Sequence, residues 1–111
     1  MAYDEGLAER VREVLAGKRG ITEKKMFGGL CFLLHGNMLL GVSGKGGLLI
    51  RFRRDEHDRV MKMKHVRPMD FTKKPMQGYA YVDAKGLVSK RDLEAWVERC
   101  LEYVSTLPKK K

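Results

Sequence analysis

Between Leu30 and Val42 the chain reads LCFLLHGNMLLGV, two apolar runs parted by a short break containing Gly36 and Asn37. Apolar runs this short, interrupted by residues that tolerate positive φ, fit a β-hairpin better than any helix. The expectation is a tight turn at Gly36-Asn37. A looser turn, SGKGG, follows, and LLIRFR returns as another strand. In that strand Ile50 and Phe52 alternate with Arg51 and Arg53, which gives it one dry face and one wet face. Upstream, TEKKMF reads as a weaker strand, so three or four antiparallel strands lie in sequence as a meander.

Helical periodicity flanks this run. Residues 4–16 form a helix: Asp4 can accept free amide protons of the first turn, and Leu7, Val11, Val14 and Leu15 fall on one stripe. GKRG stops it, with basic side chains at the negative end of the helix dipole. Residues 55–65 read as a short helix with acids first and bases last, carrying a narrow stripe of Val60, Met61 and Met63. Pro68 and Pro75 then bracket an extended connection. GYAYV, from Gly78 to Val82, is a final strand closed by the turn DAKG. The last helix is marked by Ser89 with Asp92 three residues on, a capping-box spacing. Leu93, Trp96, Val97, Cys100, Leu101 and Val104 share one of its faces, and Pro108 marks its end.

Strands grouped together with helices outside the run predict an α+β fold: two layers, an antiparallel β-meander sheet, and flanking N-terminal, short middle and C-terminal helices. Trp96 and its neighbours should pack on the dry face of the sheet. The 111 residues suit one domain over 1–107, with 108–111 as a basic, frayed tail.

Composition narrows the setting. No apolar run approaches the roughly 20 residues of a membrane helix, and MAYDEGLAERV lacks the basic-then-apolar order of a signal peptide. Two cysteines, Cys31 and Cys100, both within apolar patterns, do not make a disulfide framework. The expected compartment is the cytoplasm, with no membrane partner. The formal charge of +9 suits acidic partners, nucleic acid among them, but also serves solubility alone.

Few residues carry chemistry. A Walker loop needs G-x-x-x-x-G-K-[ST] before a helix, yet around Gly44-Lys45 the early glycine position is Leu39 and the hydroxyl position is Gly46. The G-x-G-x-x-G pattern from Gly44 fails at Leu49. Gly28-Gly29 lies between strand-like runs, where glycine marks a bend or bulge, and is read as architectural. Cys31 and His35 would lie about 13 Å apart along a strand, too far to clasp one metal ion. His57 and His65 fall about 80° out of helical register. Both cysteines read as small buried hydrophobes. No catalytic, cofactor-binding or metal-ligating residue is assigned. The remaining candidate is the segment 51–74, with nine bases against four acids. Its Arg51, Arg53, Arg54, Arg59, Lys62, Lys64 and Arg67 are candidate contacts for nucleic acid or a protein partner. Met61, Met63, Met69, Phe71 and Met76 are interleaved with them.

KKMFGGLCFLLHGNMLLGV, then LLIRF, KKPMQGYAYV and LEAWVERCLEYV, together resemble the N-terminal domain of the TfoX/Sxy family. The most specific part is Met26-Phe27-Gly28-Gly29 with the hairpin at Gly36–Met38; Gly78, Tyr79 and Trp96 follow in the right order. The resemblance implies a bacterial α+β domain with an antiparallel sheet. It also implies kinship with regulators of natural competence that act with the transcription machinery rather than as enzymes. It supplies no catalytic residue and no cofactor, and its motif residues read as structural. The leading expectation is a non-enzymatic regulatory module working by protein contact. Direct, sequence-nonspecific nucleic-acid binding through segment 51–74 is the alternative, an unrecognised enzyme comes third, and a homodimer is left open.

Overall fold

Asp4 opens the first helix, α1 (Glu5–Leu15), by accepting the Leu7 amide proton at 3.1 Å, and Leu7, Ala8, Val11 and Leu15 are buried along one side of it. The structure is a computed structural model that describes residues 4–26, 29–43, 47–68 and 77–108. Four strands follow α1: β1 (Ile21–Met26), β2 (Gly29–Leu34), β3 (Asn37–Val42) and β4 (Leu48–Arg51). Each pairs antiparallel with the next, so the predicted meander is present. A 3-10 turn at Arg54–Glu56 leads into α2 (His57–Met61), then come β5 (Val66–Pro68), β6 (Tyr79–Val82), a second 3-10 turn at Ala84–Leu87, and α3 (Lys90–Val104). The six-stranded sheet has the order β1-β2-β3-β4-β6-β5, antiparallel throughout.

The hairpin between β2 and β3 corrects the expected turn by one residue. Leu34 pairs with Asn37, so the two turn residues are His35 and Gly36, at φ +50° and +86°. A two-residue hairpin turn of this kind needs positive φ at both central positions. Asn37 instead opens β3, is buried, and donates its side-chain Nδ2 to the Pro108 carbonyl at 2.8 Å. The amide therefore ties down the chain after α3 rather than shaping the turn. Two residues further on, Phe32 pairs with Leu40 while Leu33 pairs with Met38, leaving Leu39 without an opposite residue. This bulge lets the consecutive Leu39 and Leu40 both enter the core, each fully buried.

Two more elements differ from expectation. The middle helix is shorter than residues 55–65: it ends at Met61, because its narrow apolar stripe buries only His57 and Val60. The stretch before Pro68 is a short edge strand, with Val66, Arg67 and Pro68 facing Val82, Tyr81 and Ala80. An edge is where a residue without an N–H is tolerated. Pro75, Phe27, Gly28, Met69, Phe71, Lys73, Lys74 and Met76 lie outside the described residues.

The helices cover one face of the sheet. Phe32, Leu40, Ile50 and Ala80 form one register row across that face and are buried, as are Leu30, Val42, Leu48 and Val82 in the next. Onto these rows α3 lays Leu93, Trp96, Val97, Cys100 and Val104, contacting β3 and β4 and, on its other side, α1. Ser89 caps α3 by accepting the Asp92 amide proton at 3.0 Å. Among the described residues no helix is long and apolar enough to cross a membrane.

Candidate functional site

The C-terminal end of β4 carries the residues that gather. Arg51 pairs across the strands with Tyr79 of β6, so their side chains stand side by side. Its guanidinium carbon lies 5.7 Å from the centre of the Tyr79 ring and 5.6 Å from the ring of Tyr103, which comes from the last turn of α3. Both distances are within cation–π range. The Nη1 group also donates to the Met38 carbonyl at 3.2 Å. Two rings and a carbonyl thus hold Arg51 in place without neutralising its charge.

The floor of the site is the next residue. Phe52 is 1% exposed and stacks on the buried His57, ring centres 6.0 Å apart and planes 16° from parallel. Its backbone N–H donates to the Gly78 carbonyl at 2.9 Å, and the Gly78 N–H donates to His57 Nδ1 at 3.2 Å. That bond makes Nδ1 an acceptor, which places the imidazole proton on Nε2. Gly78 sits at φ +84°, and a β-carbon there would stand 3.0 Å from the Phe52 carbonyl oxygen. Glycine is therefore required twice over, by backbone conformation and by space.

Arg51, Phe52, Gly78, Tyr79 and Tyr103, joined by Arg54 and Gln77, line an open cleft of about 410 Å³. Arg51 and Arg54 are among its lining residues, and no carboxylate lines it among the described residues. Beneath it Cys100 is wholly buried, and burial pushes its thiol up to about 12, against the hydrogen bond with the Arg51 backbone and the nearby Arg99 charge. On the opposite face of the sheet, Cys31 and Leu49 border a dent of only about 10 Å³, close to the minimum for a single water. Burial raises the Cys31 thiol as well.

The cleft collects some of the sequence-derived candidates and scatters the others. Arg51, Arg54, Gly78 and Tyr79 line it, and Met38 contributes its carbonyl. Arg53 is paired with Asp55 at 2.8 Å and Arg67 with Asp83 at 2.6 Å, the latter also lying over the Tyr81 ring. Arg59, Lys62 and Lys64 are exposed on α2 and the turn after it. Met26 and Gly29 are a cross-strand pair at the ends of β1 and β2, and Gly36 occupies the β2–β3 turn. Trp96 packs in the core under Arg99, whose guanidinium reaches Glu56 at 2.8 Å. The sequence reading missed Tyr103 and Gln77. Tyr103 follows Trp96 by seven residues, two helical turns, at the margin of the apolar stripe, and that spacing is the signal that could have marked it.

A family model described as the TfoX N-terminal domain matches residues 13–104. The chain belongs to this family. The matched span contains β1 to β6 and the whole of α3, so the cleft lies wholly within the TfoX N-terminal domain. No curated protein and no solved structure matches the chain.

Proposed function

We propose that this TfoX N-terminal domain is a non-enzymatic regulatory module that works by contact with another protein, in the manner of the competence regulators it resembles. Family membership carries the reading. Two features of the side chains support it. A cysteine nucleophile needs an accessible thiolate, whereas both thiols here are buried and raised. His57, also buried, spends Nδ1 on the Gly78 amide. The basic segment, for its part, is not a row of unpaired cations, since Arg53 and Arg67 meet carboxylates and Arg51 meets rings.

Nucleic-acid binding is favoured by one observation, the exposed Arg59, Lys62 and Lys64 next to α2. A single experiment separates the readings. The full chain is used as bait in an extract of its own cell, and retention on duplex DNA is measured over a salt series in parallel. The protein-contact reading expects a stoichiometric protein partner and marginal DNA retention at physiological salt. It is overturned if DNA binding falls steeply with log salt, by about 0.9 per phosphate contact, and Arg59→Ala reduces that slope by about one unit.

A further inference from the structure

We propose that the cleft between β4, β6 and α3 binds a nucleotide phosphate, with Arg51 and Arg54 as the anion contacts and the tyrosine-lined wall beside the base. The inference goes beyond the protein-contact reading and does not rest on it. It starts from how the described arginines are partnered. Arg12, Arg53, Arg67 and Arg99 each meet a carboxylate, whereas Arg10, Arg19, Arg59 and Arg91 meet none among the described residues and do not line the cleft of Arg51 and Arg54. Arg51 and Arg54 line a common cleft of about 410 Å³ that no carboxylate lines among the described residues. Two arginines lining one cleft, with no counter-charge there among the described residues, attract an anion, and their planar forks match phosphate oxygens.

Arg51 is also pre-arranged. The rings of Tyr79 and Tyr103 and the Met38 carbonyl hold it before any ligand arrives, so little side-chain freedom remains to be lost on binding. Arg54 is the complementary case: exposed, beside the cleft, and in no ion pair among the described residues. Around the cations the wall is amphipathic. Tyr79 and Tyr103 bring phenols to the lining, Gln77 offers a neutral amide, and Gly78 keeps the floor low because no side chain fits there. The volume exceeds what a bare phosphate needs and falls within the range of about 300–1,000 Å³ typical of small-ligand sites. An anion carried on a flat, hydrogen-bonding ring uses all of these features. A nucleotide is that chemistry, whether free or as the terminal unit of a single strand.

The test is titration of the full chain, followed by backbone amide shifts, with four probes: AMP, adenosine, inorganic phosphate, and a 5′-phosphorylated single-stranded hexanucleotide. AMP is expected to shift the amides of Arg51, Phe52, Gln77, Gly78 and Tyr79, phosphate to shift the same set more weakly, and adenosine to leave them in place. If the hexanucleotide shifts the same amides at least tenfold more tightly than AMP, the source is a strand end; comparable or weaker binding makes it a free nucleotide. Arg54→Gln should weaken AMP about tenfold, the loss expected for one charge-assisted contact, with an unchanged Tm. Arg51→Gln should weaken it at least as much, and comparison with Arg54→Gln guards against a folding defect. The proposal is overturned if no probe shifts the cleft amides, if adenosine shifts them as AMP does, if shifts gather at Arg59–Lys64 instead, or if Arg54→Gln binds AMP as the parent does.

Discussion

At the β1 edge Arg12 of α1 is met by Glu23 through both carboxylate oxygens, at 2.9 and 2.8 Å, and by Glu9 from its own helix. At the β4–β6 end Arg51 is met by two tyrosine rings and a backbone carbonyl. Both guanidiniums are held, but with opposite electrostatic results. The first has its charge balanced by its neighbours, and the hydrogen bond from Arg12 holds the Glu23 carboxyl below its ordinary range. The second keeps its charge and presents it to a cleft. A formal charge of +9 therefore says little about where positive charge is available, because an arginine clasped by carboxylates and one held only by rings and a carbonyl count alike in the sum.

The comparison requires the cleft to be seated in the core, and Phe52 is the residue that seats it. Phe52→Ala should lower unfolding free energy by about 3–5 kcal/mol in a denaturant titration, since a buried ring is removed from a packed site. A loss below about 1 kcal/mol would mean that the cleft floor floats free of the core. Gly78→Ala comes next. Positive φ and the close Phe52 carbonyl make about 1–3 kcal/mol the expected cost, with the cleft amides shifted and the β1-edge amides unmoved. Shifts spread evenly over both ends would show that the two regions are not separate.

Local pattern made the layers legible, and long-range juxtaposition hid the site. The alternation Ile50, Phe52 against Arg51, Arg53 and the stripe from Leu93 to Val104 placed most of the covered face, because burial follows period. The turn was misplaced by one residue because His35 at positive φ is unusual, and only pairing of Leu34 with Asn37 fixes the register. β5 was hidden because three residues ending in proline carry no strand signal until β6 offers them a partner. At the cleft, Gly78 and Tyr79 were singled out as family motif residues and Arg51 and Arg54 as bases. Nothing in the order of residues says that the two sets meet, or that Tyr103, more than fifty positions from Arg51, closes the ring around it. That meeting depends on β6 inserting beside β4, a topological event.

The two ends of the sheet should also answer to opposite extremes of pH. Cys100 lies against the Arg51 backbone, and burial raises its thiol from the usual 9 to about 12. A raised folded value means that the contribution of the neutral thiol is fully present below pH 9 and is lost as pH climbs toward 12. At pH 10 the parent should have lost on the order of 1 kcal/mol relative to a Cys100→Ala variant normalised at pH 7, measured as the difference between their stability profiles. Parallel profiles for the two proteins would remove the cleft end from this account.

The smallest effect belongs to the β1 edge, and its sign is reversed. Glu23 has a folded value lowered from 4.5, so its contribution is present above that pH and fades as pH falls through the lowered value. The pair is partly exposed, with 36% and 37% of the side chains accessible, so water and salt screen it. Glu23→Gln should therefore lower Tm at pH 7 by no more than about 3 °C. The difference should shrink in molar salt and vanish once the pH falls below the lowered Glu23 value, where the parent carboxylate is itself protonated. Arg54→Gln, which breaks no ion pair among the described residues, should leave Tm unchanged at every one of these conditions. If Arg54→Gln instead produced the acid- and salt-sensitive loss and Glu23→Gln did not, the assignment of neutralised charge to the edge and available charge to the cleft would be the wrong way round.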